Sequence, residues 1–267
     1  MDYPAEHSSA ESGRNSEVPR SGHIAADPEQ TINAEDTVAD ELVAPTLPSI
    51  DSRYREPEVP SSAPSTSLIE AVSVLREPLS SGSADTRRLA QKLAVHWFRG
   101  DAVHPALSII SAERGEGRTS TAINLACVYA QATVRTLLID ADLHNPTVHV
   151  QLGLDPGVSE KGIPITVDGI ANLSVLPASH ISKGPHDRLV PSALGDLIRH
   201  LRPHFDVILV DTPAASVGED YLFAGLATGG GLVVTREGQT KVKAIAKVLN
   251  SCEDAGIKIV GGTMLEG

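Results

Sequence analysis

Cysteine is nearly missing from this chain: Cys127 and Cys252 are the only two in 267 residues. Both fall in helical patterns and supply no framework for disulfides or zinc, which fits a reducing compartment. Long apolar runs are missing too. No stretch of about 18 consecutive apolar residues occurs, so no segment reads as a membrane span. The first residues, MDYPAEHSSAES, are acidic and have no apolar centre, so they do not read as a secretory signal. Basic residues are in the minority, 22 Lys and Arg against 34 Asp and Glu, a net charge of −12. With no basic patch, no nucleic-acid ligand is expected. These absences together point to the cytoplasm.

The acidic excess is uneven. Residues 1–82 hold 15 of the acidic side chains but only 5 of the basic ones, and they are rich in Ser, Pro, Ala and Glu. Stretches such as SSAESGRNSEVPRSG and EPEVPSSAPSTS have too little apolar surface to offset the entropy of ordering. Residues 1–83 are therefore expected to form a disordered acidic N-terminal region. Two pieces inside it, PEQTINAEDTVADELV and SLIEAVSVLREPL, repeat apolar residues every three or four positions. They are expected to form helical turns, belonging either to a solvated leader or to a docking segment for a partner. Residues 84–267 have the length of one domain with a sizeable core.

Within that domain, ALSIIS (106–111), RTLLID (135–140), NLSVLPA (172–178), DVILVD (206–211), GGLVVTRE (230–237) and KIVGGTM (258–264) are β-rich runs bounded by turn residues. Continuous runs of this kind suit strands covered on both faces. Helical patterns occupy 84–98, 118–132, 191–202, 219–227 and 240–255, the last stopped by Gly256. The alternation predicts an α/β fold, a parallel β-sheet flanked by helices on both faces. Ligands of such sheets bind beyond the carboxyl ends of the strands. Ser111, Asp140 and Asp211 close three of the runs, so the candidate site lies where those three ends meet.

Residues 112–119, AERGEGRT, follow the spacing of the phosphate-binding loop G-x-x-x-x-G-K-[ST] with two departures, Ala112 at the first glycine and Arg118 at the lysine. Backbone N–H groups of Gly115, Glu116, Gly117, Arg118, Thr119 and Ser120 would wrap phosphate oxygens, aided by the positive end of the helix that begins near Arg118. Thr119 is placed to ligate Mg2+. LLIDADLHNP puts Asp140 and Asp142 at the end of one strand, and VILVDTPA puts Asp211 at the end of another. A single aspartate in such a place is more often a cap or a turn former. Three of them at two strand ends beside a phosphate loop are the hard oxygen ligands that a Mg2+–nucleotide complex takes, directly or through water. Asp140 would also orient or deprotonate an attacking hydroxyl.

The stretches SAERGEGRTSTAINLACVYAQ, RTLLIDADLHNPTVHVQLGL, LSVLPAS and FDVILVDTPAAS resemble the bacterial tyrosine kinases (BY-kinases) of polysaccharide export systems. The nearer branch is that of the chain-length determinant tyrosine kinases of exopolysaccharide loci; the partitioning ATPases of the same P-loop fold are more distant. The resemblance covers 84–267 and keeps the order and spacing of three motifs. It implies a P-loop NTPase of the deviant Walker type that binds ATP and Mg2+. Arg118 would lie at the β- and γ-phosphates, Thr119, Asp142 and Asp211 at the metal and its waters, and Asp140 would be the catalytic carboxylate. It further implies autophosphorylation on tyrosine, assembly of copies into rings, and control by a membrane polysaccharide copolymerase, the chain-length determinant protein. Such a partner would hold a cytoplasmic protein peripherally at the inner face of the plasma membrane. Glu113 stands where partitioning ATPases carry an additional lysine, which favours the kinase side.

Several positions depart from the family. Its arginine after the second aspartate is His144 here, its DTPP is DTPA with Ala214, and its ring-forming E-x-x-R-x-x-R keeps Arg87 between Ala84 and Ala90. Its tyrosine-rich tail has no counterpart: Tyr3, Tyr54, Tyr129 and Tyr221 are the only tyrosines. Arginine is larger and planar where lysine is a point charge, yet it still makes bidentate contacts to phosphate. A protein-tyrosine kinase of exopolysaccharide synthesis is the leading expectation. A catalytically weak or inactive pseudokinase-type regulator of the copolymerase and a partitioning-type ATPase are the alternatives. His144 and His149 read as packing or hydrogen-bonding residues rather than metal ligands, Trp97 and Phe98 as helix-to-core packing, and Cys127 as a buried inert thiol. Asp220 reads either as a helix cap or as a contact to a neighbouring subunit.

Overall fold

In the computed structural model the apolar runs fold into a sheet. The described residues are 63–98, 106–158, 162–181 and 191–267, all in one of the two units into which the chain divides. Among them the sheet has seven strands. These are β1 (Ala106–Ser111), β2 (Thr136–Asp140), β3 (Ile165–Thr166), β4 (Leu173–Leu176), β5 (Val207–Asp211), β6 (Gly230–Arg236) and β7 (Lys258–Leu265). Their order is β3-β4-β2-β5-β1-β6-β7, and every neighbouring pair is parallel except β3–β4.

Helices cover both faces: α1 (Thr66–Ala71), α2 (Ser73–Arg76), α3 (Ser81–Leu93), α4 (Arg118–Gln131), α5 (Val148–Gln151), α6 (Ala178–Ile181), α7 (Pro191–Leu201), α8 (Asp220–Thr228) and α9 (Val242–Asp254). Alternate strand residues point to opposite faces. Leu107 and Ile109 of β1, Leu138 of β2 and Leu209 of β5 meet Leu93, Trp97, Ile123 and Leu125 on the α3–α4 side. On the other, Leu137, Ile139, Ile208 and Val210 meet Leu194, Leu197 and Ile198 of α7 and Ala224 of α8. α9 adds Val248 and Cys252 around Ile110. Each fully buried aliphatic side chain of this size contributes roughly 1.5–3 kcal/mol by leaving water. A strand that gains this on both faces has few polar positions to spare, hence the nearly continuous apolar runs, and buried Ser108 of β1 meets the Thr228 hydroxyl at 2.9 Å.

The expected helix over 84–98 begins earlier, at Ser81, where Ser80 caps it by accepting a hydrogen bond from the Ser83 amide, and it ends in a π-turn over Ala94–Phe98. Trp97 packs into the core as expected, 6% exposed, and its indole N–H donates to the Ala106 carbonyl at 2.9 Å. Phe98 meets Tyr129 edge-on, the ring centroids 5.6 Å apart. Gly230 lies against the Trp97 ring, where a Cβ would approach to 2.5 Å, so no larger residue fits. The run expected over 172–178 is a strand only to Leu176, because Pro177 has no N–H for the ladder. The two-residue β3 carried no sequence signal.

The domain boundary drawn after residue 83 needs correction. Residues 65–83 are part of the folded domain: SLIEAVSVLREPL forms α1 and α2, and Leu68, Val72 and Val74 are buried in the same apolar layer as α4. The Val74 amide donates to Asn124 Oδ1 at 2.9 Å, pinning this segment to α4. Composition hid it, since a few apolar side chains in a Ser/Glu-rich stretch gain their energy only against α4. The piece PEQTINAEDTVADELV and the rest of the acidic region up to residue 62 lie outside the described residues.

Candidate nucleotide site

β1 ends at Ser111 and α4 starts at Arg118; the six residues between form a tight loop that needs left-handed backbone at Gly115 (φ +79) and Gly117 (φ +87). A Cβ on Gly117 would also collide with the Leu265 side chain. Glu116 is 1% exposed and braces the loop. Its Oε2 accepts from the Glu113 amide at 2.9 Å and its Oε1 from the Thr240 hydroxyl. Gln239 Nε2 donates to the Arg114 carbonyl at 3.1 Å, so the β6–α9 connection supports the loop from outside. The sequence reading placed Glu116 among the phosphate-binding positions. Its side chain serves the loop's own framework, and the backbone amide is what it has left to offer. Thr240, Gln239 and Leu265 were missed, because nothing in their local sequence marks a partner more than a hundred residues away.

The strand ends converge as expected. Asp140 and Asp211 are register partners on the adjacent strands β2 and β5, and β5 lies beside β1. The DTPA segment that follows is zipped to β1: Thr212 Oγ1 donates to the Ile109 carbonyl at 2.7 Å, and the Ala215 amide donates to the Ser111 carbonyl at 3.0 Å. Thr119 Oγ1 donates to Asp211 Oδ2 at 2.7 Å. Asp142 Oδ1 accepts from the Asn145 amide at 3.0 Å. Asp140 lies deepest, 0% exposed, its two oxygens accepting from the Asp142 and Val148 amides at 3.2 Å each.

Arg118 is turned onto the carboxylates. Its Nη2 is 3.1 Å from Asp142 Oδ2 and its Nε 3.3 Å from Asp211 Oδ1, while Nη1 donates to Ser111 Oγ at 2.8 Å. Burial, reinforced by the Asp211 and Asp142 charges, pushes Asp140 up to about 8. Burial also raises Asp211, but the Arg118 charge and the Thr119 hydroxyl hold it to about 6. Ser120 is exposed on the first turn of α4, and its carbonyl accepts from Asn124 Nδ2 at 2.7 Å.

The residues fit a Mg2+–nucleotide complex in kind. Among the described residues no group of three or more His, Cys, Asp and Glu is arranged to hold a metal by itself. Mg2+ takes one or two carboxylates and draws its other ligands from phosphate and water. Asp211 Oδ1 is buried and makes no hydrogen bond; its partner is the Arg118 charge at 3.3 Å, a place for which such an ion would compete. His144 and His149 do not come together as a metal pair. His144 Nε2 lies 2.8 Å from Asp220 Oδ2, so Asp220 bonds within its own chain, and His149 belongs to α5. Cys127 is fully buried, with its thiol pushed up to about 12. A cavity of about 720 Å³ opens between α3 and β7, and no loop residue lines it.

A family model described as "ParA: NUBPL iron-transfer P-loop NTPase" matches residues 102–264, more than half of the chain. Tyrosine-protein kinase ptk of Acinetobacter johnsonii is 29% identical over 181 residues, 64% of this chain and 25% of that protein. Tyrosine-protein kinase YwqD of Bacillus subtilis (strain 168) is 28% identical over 202 residues, 72% of this chain and 84% of that protein. The chain thus spans a quarter of the first relative's length and most of the second's. Among solved structures, the chimerical protein CapA2B2 matches with a TM-score of 0.64 at 25% identity, covering 81% of this chain and 96% of that one. The kinase domain of Escherichia coli tyrosine kinase ETK shares the fold, with a TM-score of 0.65 at 24% identity over 82% of this chain and 86% of that one. Bacterial tyrosine kinases are what this chain is similar to, as its motifs indicated. Loop, strand-end carboxylates and family match agree, and the chain belongs to the ParA family of P-loop NTPases.

Proposed function

We propose that this protein binds ATP with Mg2+ and transfers phosphoryl groups to protein tyrosine, acting in exopolysaccharide synthesis beside a membrane polysaccharide copolymerase. The observation that carries the reading is the 2.7 Å hydrogen bond from Thr119 to Asp211 at the foot of a glycine loop, which sets a hydroxyl and a carboxylate side by side where Mg2+ would sit. The names of the similar proteins support the choice of tyrosine as acceptor. Bound Mg2+–ATP would supply the phosphoryl group and the charge that stabilises its transfer. The chain's own part is positioning: amides of residues 115–120 orient the phosphates, and Thr119, Asp142 and Asp211 present oxygens to the metal and its waters. Asp140, whose raised pKa makes it a better base than an ordinary aspartate, is our assignment for the proton acceptor.

For iron transfer, named in the description of the family model, the two cysteines supply no ligand. Both cysteines are 0% exposed and their thiols are pushed up to about 12 and about 11, so neither offers a thiolate ligand. The direct test is incubation with labelled ATP and Mg2+ followed by phosphotyrosine detection. Wild type should incorporate label into itself or into a tyrosine-containing peptide, and Asp211→Asn should lower the rate by on the order of a hundredfold. Equal labelling in the two proteins, or none in wild type, rejects the proposal.

A further inference from the structure

Arg118 stands where the phosphate-loop pattern aims a cation at the ligand, yet its guanidinium is engaged by Asp142, Asp211 and Ser111. Its contacts at 3.1 Å to Asp142 and 3.3 Å to Asp211 leave it 8% exposed, between carboxylates that are 12% and 1% exposed. The Ser111 hydroxyl takes its third nitrogen at 2.8 Å. These partners lie at the ends of β2, β5 and β1, so one planar group ties together all three strand ends of the site. A lysine ammonium is a point charge and does not span the two carboxylates and the hydroxyl in this way. Among the described residues no other cation is paired with Asp140, Asp142 or Asp211. Without Arg118, three carboxylates would share a nearly dry hollow with no counter-charge, an arrangement that proteins resolve by protonation or by taking up a cation. One of the contacts is loose: Arg118 Nε and Asp211 Oδ1 are both buried and form an ion pair at 3.3 Å without good hydrogen-bond geometry.

Resting on the reading of this hollow as a Mg2+–nucleotide site, we infer that Arg118 is the resident counter-cation of the nucleotide-free protein, and that its guanidinium and a divalent metal exclude one another between Asp142 and Asp211. Phosphate oxygens supply the alternative partner that frees the carboxylates, since arginine binds phosphate bidentately. The metal is then admitted with the nucleotide and refused alone. Arg118 is in this sense a positioning and specificity residue, and its replacement for lysine is a functional feature of the site.

The experiment is a calorimetric titration of the full chain with Mg2+ alone, nucleotide absent, in wild type, Arg118→Lys and Arg118→Ala. Arg118→Ala should bind Mg2+ at least about tenfold more tightly than wild type, because the carboxylates have lost their internal partner. Arg118→Lys should fall between, its ammonium reaching one carboxylate at a time. If circular dichroism shows that Arg118→Ala does not fold, Arg118→Lys against wild type decides. A folded variant that binds Mg2+ no more tightly than wild type overturns the inference. A parallel titration with ADP, with and without Mg2+, tests the nucleotide reading separately. Absence of ADP binding in wild type, with the metal competition intact, would reject that reading and leave the role of Arg118 standing.

Discussion

Asp140 has no exposed surface and sits two strands' width from the loop, yet it sets how the nucleotide-free protein should respond to pH. Its folded pKa is raised from 3.8 to about 8, chiefly by desolvation, and that of Asp211 to about 6. A raised carboxylate contributes stability that is fully present below its unfolded value and is lost as pH rises through the folded one. The protein without nucleotide should therefore lose stability progressively from pH 3.8 to about 8, the Asp211 share ending at about 6, because the unfolded carboxylates are ionised there while the folded ones keep their protons. Asp140→Asn, which cannot titrate, should flatten that part of a melting-temperature profile against pH; an unchanged slope would mean that Asp140 is not what titrates there. The convergence of Thr119, Asp142 and Asp211 was legible as residue types at fixed offsets from glycines and strand ends. The orientation of Arg118 was not, because a side chain chooses between phosphate and carboxylate by what surrounds it, and offsets along the chain do not contain that.

Among the elements, the sheet and its main helices follow from periodicity, whereas α1 and α2 depend on a neighbour. Leu68, Val72 and Val74 are 4%, 0% and 1% exposed. Burying three such side chains gains on the order of 5 kcal/mol, and the entropy of ordering two short helices opposes it. A chain beginning at residue 84 should accordingly melt roughly 5 °C below one beginning at residue 63, and should aggregate more readily through the uncovered flank of α4. Equal melting temperatures for the two chains would show that α1 and α2 add nothing to the fold. The phosphate loop is a similar case. Its glycines announce it, but its rigidity comes from Thr240 and Gln239 on the β6–α9 connection, which bond to Glu116 and to the Arg114 carbonyl.

For the whole molecule, burial decides which tyrosines are available to a tyrosine kinase acting on its own kind. Tyr129 and Tyr221 are 5% and 4% exposed, and the Tyr129 hydroxyl donates to the Ala90 carbonyl at 2.8 Å. Phosphorylating either would require opening the core. Self-labelling, where it occurs, should map to Tyr3 or Tyr54 in the acidic N-terminal region, both outside the described residues, and Tyr3→Phe with Tyr54→Phe should abolish it. Phosphopeptides containing Tyr129 or Tyr221 from folded protein would refute this. By itself the sequence determined the α/β class, the strand ends that carry Asp140 and Asp211, and the loop between β1 and α4, because each is written in short-range spacing that local backbone geometry reads directly. Only the tertiary structure decided that the folded domain starts before residue 84, that Glu116 braces the loop, and that Arg118 neutralises the carboxylates. Those outcomes are settled by desolvation and charge pairing between groups far apart in the chain, and such energies exist only once the sheet has brought the groups together.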